Sequence, residues 1–254
     1  MYNIIQRNKL ISLHLMVIIL GFTGILGKLI SLESSYLVWY RMLLAFIVLF
    51  IFVLIKKQLN KIKKNNILPL TGAGIIVALH WFFFFESIKV ANVSIAVICL
   101  STSSLFSAFL EPIFLKRKIF KYEVFFGIIV LLALTYMLYE QPNENQEINH
   151  FLGYLYGIIS ALLATIFTLI NARFINNIDA VEITMFEMLG GTIFISILFL
   201  IQNDYTVFYH TVTKEDLFYI IILSILCTAG VFVWMIEIMR YISPYSVIMA
   251  VNLE

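Results

Sequence analysis

Apolar residues form long uninterrupted blocks along this sequence, and short polar stretches separate them. Each block has about 20 residues, the length that an α-helix needs to cross the hydrocarbon core of a bilayer. A β-barrel would instead show segments of about 10 residues that alternate in polarity. The pattern predicts an all-α polytopic membrane protein with a ninth helix beginning near residue 243, after crossings at 11–31, 36–55, 67–88, 92–115, 122–140, 151–172, 181–201 and 216–239.

The composition supports a membrane protein and excludes a water-soluble one. Of 254 residues, 62% are hydrophobic and 13% are charged, which is too little polar surface to cover a globule in water. The longest polar stretches, 140–150 and 202–216, are too short to enclose a separate soluble core. We therefore expect the protein to lie in a lipid bilayer. The sequence shows no sign of a nucleic-acid-binding module.

The positive charges predict the orientation in the membrane, because Lys and Arg accumulate in the cytoplasmic loops. One side holds 13 of the 17 cations, including the blocks KKQLNKIKK (56–64) and KRKIFK (116–121). The other side has four cations and several acidic residues. We therefore predict a multi-pass protein of the cell (inner) membrane with a cytoplasmic amino terminus.

Short segments in the first half of the sequence recur in similar form in the second half, at a nearly constant offset in residue number. The run HWFFFFESIK (80–89) recurs as VFVWMIEIMR (231–240), so that Glu86 and Lys89 correspond to Glu237 and Arg240 at an offset of 151. Upstream, an offset of 145 to 146 pairs Phe22-Thr23 with Phe167-Thr168, Lys28 with Arg173, and YRMLLA (40–45) with FEMLGG (186–191). The common order of these sparse identities indicates a duplicated unit.

The predicted unit contains five helices, an odd number, so the second copy must begin on the opposite face of the membrane. We divide the chain into a first repeat at 1–145 and a second at 146–254, which stops within its fourth helix. A second copy as long as the first would add roughly 40 residues and complete ten helices, of which about eight and a half are present. Two inverted repeats enclose a shared site near the membrane midplane, which is the architecture of an alternating-access carrier.

Several segments resemble the EamA domain of the drug/metabolite transporter superfamily. In the first half these are GFTGILGK (21–28), VWYRMLLA (38–45), ALHWFFFFESIKVANVSIAVICLS (78–101) and KRKIFKYEVFFGI (116–128), and in the second half EIMRYISPYSVIMAVNLE (237–254). The resemblance implies a ten-helix carrier of amino acids or other small metabolites, often working outward, with both termini cytoplasmic. Two departures are Leu20, where many members have Trp, and Lys116 to Lys118, where Gly-Glu-Arg is common.

Polar groups at membrane depth are the first candidates for substrate binding, because each must offset its dehydration through a partner. His80 lies near the midplane, where an imidazole binds a carboxylate, relays a proton, or simply joins two helices by a hydrogen bond. Aromatic side chains there either line a cavity or face lipid, and small polar ones either bind a zwitterion or join helices. Besides His80, the candidate substrate-binding residues are Trp81, Thr23, Ser103, Asn171, Trp234, Asn252 and Glu254.

A second group of charged residues is a candidate for gating or for ion pairs. Glu86 and Lys89, like Glu237 and Arg240, are three residues apart at a helix end, a spacing that places both on one helical face. Each pair is either a local ion pair or a gate between the two halves. Arg41 and its counterpart Glu187 lie at similar depths from opposite faces, where Arg41 either snorkels outward or binds a ligand.

No enzymatic motif or metal-ligand spacing occurs in the sequence, so we expect neither a catalytic residue nor a cofactor nor a metal. Cys99 and Cys227 fall inside predicted helices as buried apolar residues. The expected function is secondary transport of a small polar metabolite. A non-transporting membrane scaffold or a defective carrier fragment is the alternative, and coupling to protons and a homodimer both stay open.

Overall fold

A computed structural model describes residues 8–57, 64–139, 149–203 and 212–252, and these residues form helices with no strand among them. Eleven α-helices and one π-helical turn occur in the described ranges. In chain order the α-helices are α1 Lys9–Leu29, α2 Ser34–Ile55, α3 Lys64–Val90, α4 Val93–Leu100, α5 Ser103–Leu115, α6 Lys121–Tyr139, α7 His150–Phe174, α8 Ala180–Ile201, α9 Lys214–Ser224, α10 Val231–Ile238 and α11 Pro244–Val251.

Seven helical segments among the described residues are long and apolar enough to cross a membrane. They are Lys9–Leu29, Ser34–Ile55, Lys64–Val90, Val93–Leu115, His150–Phe174, Ala180–Ile201 and Lys214–Ile238. The predicted fifth crossing forms helix α6, which is not among the seven. Large apolar side chains on the outside, such as Leu68 at 81% exposure and Phe151 at 75%, suit contact with lipid. The polytopic all-α fold predicted from the sequence is confirmed.

Two of these crossings are interrupted near their middle. Between α4 and α5, the hydroxyl groups of Ser101 and Thr102 donate to the carbonyl oxygens of Ile98 and Cys99, at 2.6 and 2.7 Å. Between α9 and α10, Ile225–Gly230 forms a π-helical turn. A break inside a membrane is tolerated when side chains satisfy the freed backbone groups, as these hydroxyls do. The sequence pattern predicted a continuous helix at both places.

Side chains at the helix ends explain several of the boundaries. Asn92 accepts a hydrogen bond from the backbone N–H of Ile95 at the start of α4, and Ser243 accepts one from Ser246 at the start of α11. Both residues occupy the N-cap position, where a side-chain oxygen satisfies an unpaired N–H group. Pro244 follows Ser243 at the first helical position, which needs no N–H donor.

Helix α3 lies at the centre of the bundle and packs against both α7 and α8. Its contact with α8 is a backbone contact, because a Cβ atom on Gly74 would meet the carbonyl group of Glu187 and one on Gly190 would meet that of Thr71. Glycine allows such close approach because it has no side chain, which is a common basis of helix association in membranes. This crossing joins the first half of the chain to the second.

Candidate functional site

A cavity of about 80 Å³ lies between the two halves of the chain. Its walls come from α1, α2 and α3 and the break between α4 and α5 in the first half, and from α7, α10 and α11 in the second. A volume of about 10–15 Å³ of this kind holds one water molecule, so the cavity has room for several waters or a small ligand. Five of the sequence candidates line it: Thr23, Arg41, His80, Trp81 and Ser103.

Arg41 brings a permanent positive charge to the cavity wall. Its side chain is 1% exposed, and its guanidinium carbon lies 3.8 Å from the centre of the Trp81 ring. Its Nε donates to Thr228 Oγ1 at 2.5 Å, and that hydroxyl donates in turn to the carbonyl oxygen of Leu223, at 2.7 Å. Thr228 is part of the π-helical turn, so the irregular backbone positions the hydroxyl that holds Arg41.

His80 lines the cavity and also contacts helix α7 through one ring nitrogen. Its Nδ1 lies 2.9 Å from the carbonyl oxygen of Ser160 and 2.8 Å from the Ser160 hydroxyl. A carbonyl oxygen only accepts hydrogen bonds, so the contact assigns the proton of the neutral ring to Nδ1. Nε2 of the neutral ring is then a hydrogen-bond acceptor. The sequence left two alternatives for His80, a hydrogen bond that joins two helices and a role in binding. The two are compatible, because each uses a different ring nitrogen.

Aromatic rings connect His80 to Arg41 around the cavity. The His80 ring centre is 5.4 Å from that of Phe167, which is 5.5 Å from that of Phe232. Phe232 contacts Trp81 edge to face at 5.2 Å. The cavity is thus mainly apolar, with two nitrogen-bearing groups at the ends of the aromatic series, an arrangement typical of small-molecule sites.

Small polar groups complete the lining. Thr23 Oγ1 is buried and makes no hydrogen bond. Ser103 Oγ lies 3.5 Å from Asn252 Oδ1, and the Asn252 amide donates to the carbonyl oxygen of Ser101 at 3.2 Å. Asn252 therefore supports the break between α4 and α5, although it is not part of the cavity wall.

Two other predicted substrate-binding residues, Trp234 and Asn171, do not line the cavity. Trp234 donates to Ser12 Oγ at 2.7 Å, a contact that joins α10 to α1. Asn171 is fully buried on α7 but does not line the cavity. Glu254 lies outside the described residues, so its predicted role stays a prediction.

A family comparison identifies the class of protein. The family model described as the EamA-like transporter family matches residues 8–139 and 151–254, which together make up most of the chain. The chain belongs to the EamA-like transporter family. The resemblance seen in the sequence is confirmed, and this EamA protein is a multi-pass membrane protein of a transporter family.

Solved structures share the fold of this chain. Seventeen chains match, and one described as "Crystal structure of protein" aligns with a TM-score of 0.66, covering 96% of this chain and 86% of its own. The two sequences are 14% identical, so the likeness concerns the fold alone. No curated protein matches the sequence.

The two charged pairs at the helix ends of the EamA protein, Glu86 with Lys89 and Glu237 with Arg240, make different contacts. Arg240 Nε and Glu237 Oε2 form an ion pair at 3.0 Å, as their spacing predicts. Among the described residues Lys89 has no ion pair with Glu86. Its ammonium group instead donates to the carbonyl oxygen of Leu32, while Glu86, Glu33 and Asp216 contribute negative charge nearby.

The two cations, Lys89 and Arg240, each donate to a backbone carbonyl oxygen. Lys89 donates to Leu32, and Arg240 Nη2 donates to the carbonyl oxygen of Ile178 at 3.1 Å. Leu32 and Ile178 are paired by the same offset of 146 that relates YRMLLA to FEMLGG. Ser101 and Asn252, which contact each other directly, are 151 positions apart.

Glu187, which the sequence offset pairs with Arg41, does not line the cavity. Its side chain is fully buried on α8, and neither carboxylate oxygen makes a hydrogen bond. Asn171 is its polar neighbour, but the two form no regular hydrogen bond. Among the described residues no group of three potential metal ligands occurs, here or elsewhere.

Sequence reasoning missed several residues of the site. Phe167 and Phe232 belong to the segments that resemble each other in the two halves of the sequence, so this similarity could have pointed to them. Thr228 had no such signal, because its role depends on the π-helical turn. The contact of Asp216 with Ser31 was also missed: its two carboxylate oxygens accept from the Ser31 N–H and hydroxyl at 2.8 and 2.5 Å.

Proposed function

We propose that this protein is an alternating-access carrier for amino acids or related small carboxylates with an apolar side chain. The observation that carries the proposal is the cavity between the two halves, where Arg41 and His80 are joined by aromatic rings. The guanidinium group suits a carboxylate, and Nε2 of the neutral imidazole suits an ammonium group. The aromatic walls suit an apolar side chain.

The charge of the lining favours a substrate with an anionic group. The described lining residues include one guanidinium and one imidazole but no carboxylate. In a cavity with apolar walls, a fixed positive charge acts at a lower effective dielectric constant than in water. A carboxylate therefore gains more from Arg41 than it would gain from a solvated arginine, and a purely cationic molecule is disfavoured.

The recurring contacts support an inverted repeat as the basis of transport. Lys89 and Arg240 bind equivalent backbone carbonyls, and Asn92 and Ser243 cap equivalent helices. Ser101 and Asn252 contact each other although they are repeat equivalents, as is expected for residues beside a twofold axis. Two such halves, divided near residue 145, would rock against each other and expose the cavity alternately to each side.

Transport is tested in liposomes with radiolabelled amino acids. We expect uptake of an apolar amino acid such as phenylalanine or leucine, and competition by the unlabelled compound. Phenylalaninamide lacks the carboxylate and N-acetylphenylalanine lacks the ammonium group, so both should compete poorly. Absence of flux and of competition across the whole amino-acid panel would favour the non-transporting scaffold.

We predict that His80→Ala reduces transport about tenfold, because it removes the imidazole acceptor and one ring of the aromatic wall. One hydrogen bond to a charged group contributes about 1.5–3 kcal/mol, which corresponds to a factor of ten or more. The measurement is kcat/KM for the labelled amino acid. His14→Ala is the matched control, since His14 is exposed on α1 and lies outside the cavity; equal losses in both variants would contradict the proposed role.

We also predict the orientation in the cell membrane, with the amino terminus in the cytoplasm. Lys57→Cys and Lys214→Cys place single thiols at exposed positions on opposite predicted faces. The two natural cysteines are buried and should contribute little background. In intact cells an impermeant maleimide should label Lys214→Cys alone, and labelling of both variants to the same extent would show that the topology is wrong.

A further inference from the structure

A buried polar pair lies apart from the cavity, beside the contact of α3 with α8. It consists of Glu187 on α8 and Asn171 on α7, whose side chains are neighbours. Both oxygens of Glu187 and both polar atoms of the Asn171 amide are buried and make no hydrogen bond of regular geometry. Buried polar groups normally have well-formed partners, so this pair indicates a carboxyl group that binds a proton or another small ligand.

The surrounding backbone holds Glu187 in place and keeps it from water. Gly74 of α3 lies against the Glu187 carbonyl group, and three residues further along α8, Gly190 lies against the carbonyl group of Thr71. This spacing places Thr71 about one helical turn from Glu187 across the contact. The Glu187 side chain is 0% exposed. A carboxyl group with no exposed surface, on a backbone fixed by this contact, does not snorkel to the membrane surface.

No positive charge neutralises Glu187 in the described part of the chain. No described cation lies within ion-pair distance of it. Titratable groups of the neighbouring helices have contacts elsewhere: Arg41 on α2 with Thr228, His80 on α3 with Ser160, Arg173 on α7 with Phe114, and Glu237 on α10 with Arg240. An ionised carboxylate without a partner is strongly unfavourable at membrane depth.

We propose that Glu187 is a proton-binding site whose occupancy is linked to the transport cycle. This inference rests on the proposed carrier function. In the described conformation the carboxyl group holds its proton. When the contact of α3 with α8 opens to water, the O–H bond breaks, water accepts the proton and a carboxylate remains. The carboxylate must bind a proton again before the contact closes.

The helices that carry this site also carry the cavity, which provides the link. His80 and Trp81 belong to α3, the helix that touches Glu187 through Gly74. Helix α7 carries Asn171 and also Phe167 and Thr168 of the cavity wall. Any movement of α3 or α7 that changes the cavity therefore changes the surroundings of Glu187. The Asn171 amide beside Glu187 is suited to bind water that carries the proton away.

Infrared spectroscopy tests proton binding without any substrate. In pH-difference spectra of the purified protein, a protonated buried carboxyl group gives a carbonyl band that is resolved from those of exposed carboxylates. We expect this band in the wild type and in Glu215→Gln, whose parent residue is exposed at the start of α9. The band should be lost in Glu187→Gln. Its persistence in Glu187→Gln, or its loss on adding Na⁺ at constant pH, would overturn the proposal.

Liposome flux then tests the link to transport. With labelled phenylalanine and leucine as probes, an inwardly or outwardly directed pH gradient should change wild-type flux several-fold. Glu187→Gln should keep exchange of the amino acid between the two sides but lose the response to the gradient. A response equal to that of the wild type would overturn the link. If no variant transports either probe while the infrared band still follows Glu187, the carrier function fails and the protonation site stands.

Discussion

Replacing Arg41 with glutamine is expected to lower kcat/KM for a transported amino acid by at least about 100-fold, or about 3 kcal/mol. The substitution keeps a side chain of moderate length but removes the charge that faces the cavity. Truncating one partner of a buried, hydrogen-bonded charge pair typically costs about 2–5 kcal/mol, because the remaining charge has lost its counter-ion. In the Arg41→Gln protein, the substrate carboxylate would be the buried charge that has lost its counter-ion.

A second substitution separates charge from geometry. Arg41→Lys keeps the positive charge but loses the Nε donation to Thr228 and the guanidinium contact with the Trp81 ring. A lysine is not equivalent to an arginine at a stacked site, so we expect a smaller loss, about tenfold. Flux of labelled phenylalanine and competition by phenylalaninamide are the measurements.

The specificity of these variants is more informative than their activity. In Arg41→Gln the preference for phenylalanine over its amide should disappear, since the group that distinguishes them is gone. Lys28→Gln, which changes an exposed cation on α1, is the control and should keep the preference. An Arg41→Gln protein that still prefers the carboxylate would show that another group binds it.

The same small substitution at two glycines of α3 is expected to have opposite effects on stability. Gly74→Ala places a methyl group against the Glu187 carbonyl, whereas a Cβ on Gly72 meets open space. Overpacking typically destabilises by about 1–3 kcal/mol. Replacing an exposed helical glycine with alanine stabilises by about 0.4–1 kcal/mol, because the unfolded chain loses conformational freedom.

Thermal unfolding of the detergent-solubilised protein measures both effects. Gly74→Ala should unfold below the wild-type temperature and Gly72→Ala slightly above it. Because the two positions share a helix, general effects of detergent or expression apply equally to both. A Gly74→Ala protein as stable as Gly72→Ala would contradict the close contact of α3 with α8.

Sequence patterns predicted the helices well because hydrocarbon requires long apolar segments with internally bonded backbones. The same patterns missed the interruptions after Leu100 and Ser224, because serine and threonine hydroxyls replace the lost backbone hydrogen bonds there without changing the hydropathy. A break in a membrane helix is therefore visible in contacts and only weakly in composition.

The candidate site was predicted in part. Burial of a polar group in a membrane is unusual enough to single out His80 and Arg41 from the sequence. The identity of their partners was not predictable, because Ser160 and Thr228 are 80 and 187 positions distant and depend on how the helices pack. Spacing alone likewise suggested a pair for Glu86 and Lys89, yet a backbone carbonyl holds Lys89 instead.

The position of Trp81 gives the protein an optical reporter at its own binding site. The chain has three tryptophans, and Trp81 is the one among the described cavity-lining residues. The indole N–H groups of the other two, Trp39 and Trp234, donate to Ser196 and Ser12. Phenylalanine at those two positions would leave a single emitter in contact with the Arg41 guanidinium, so its fluorescence would follow ligand entry directly.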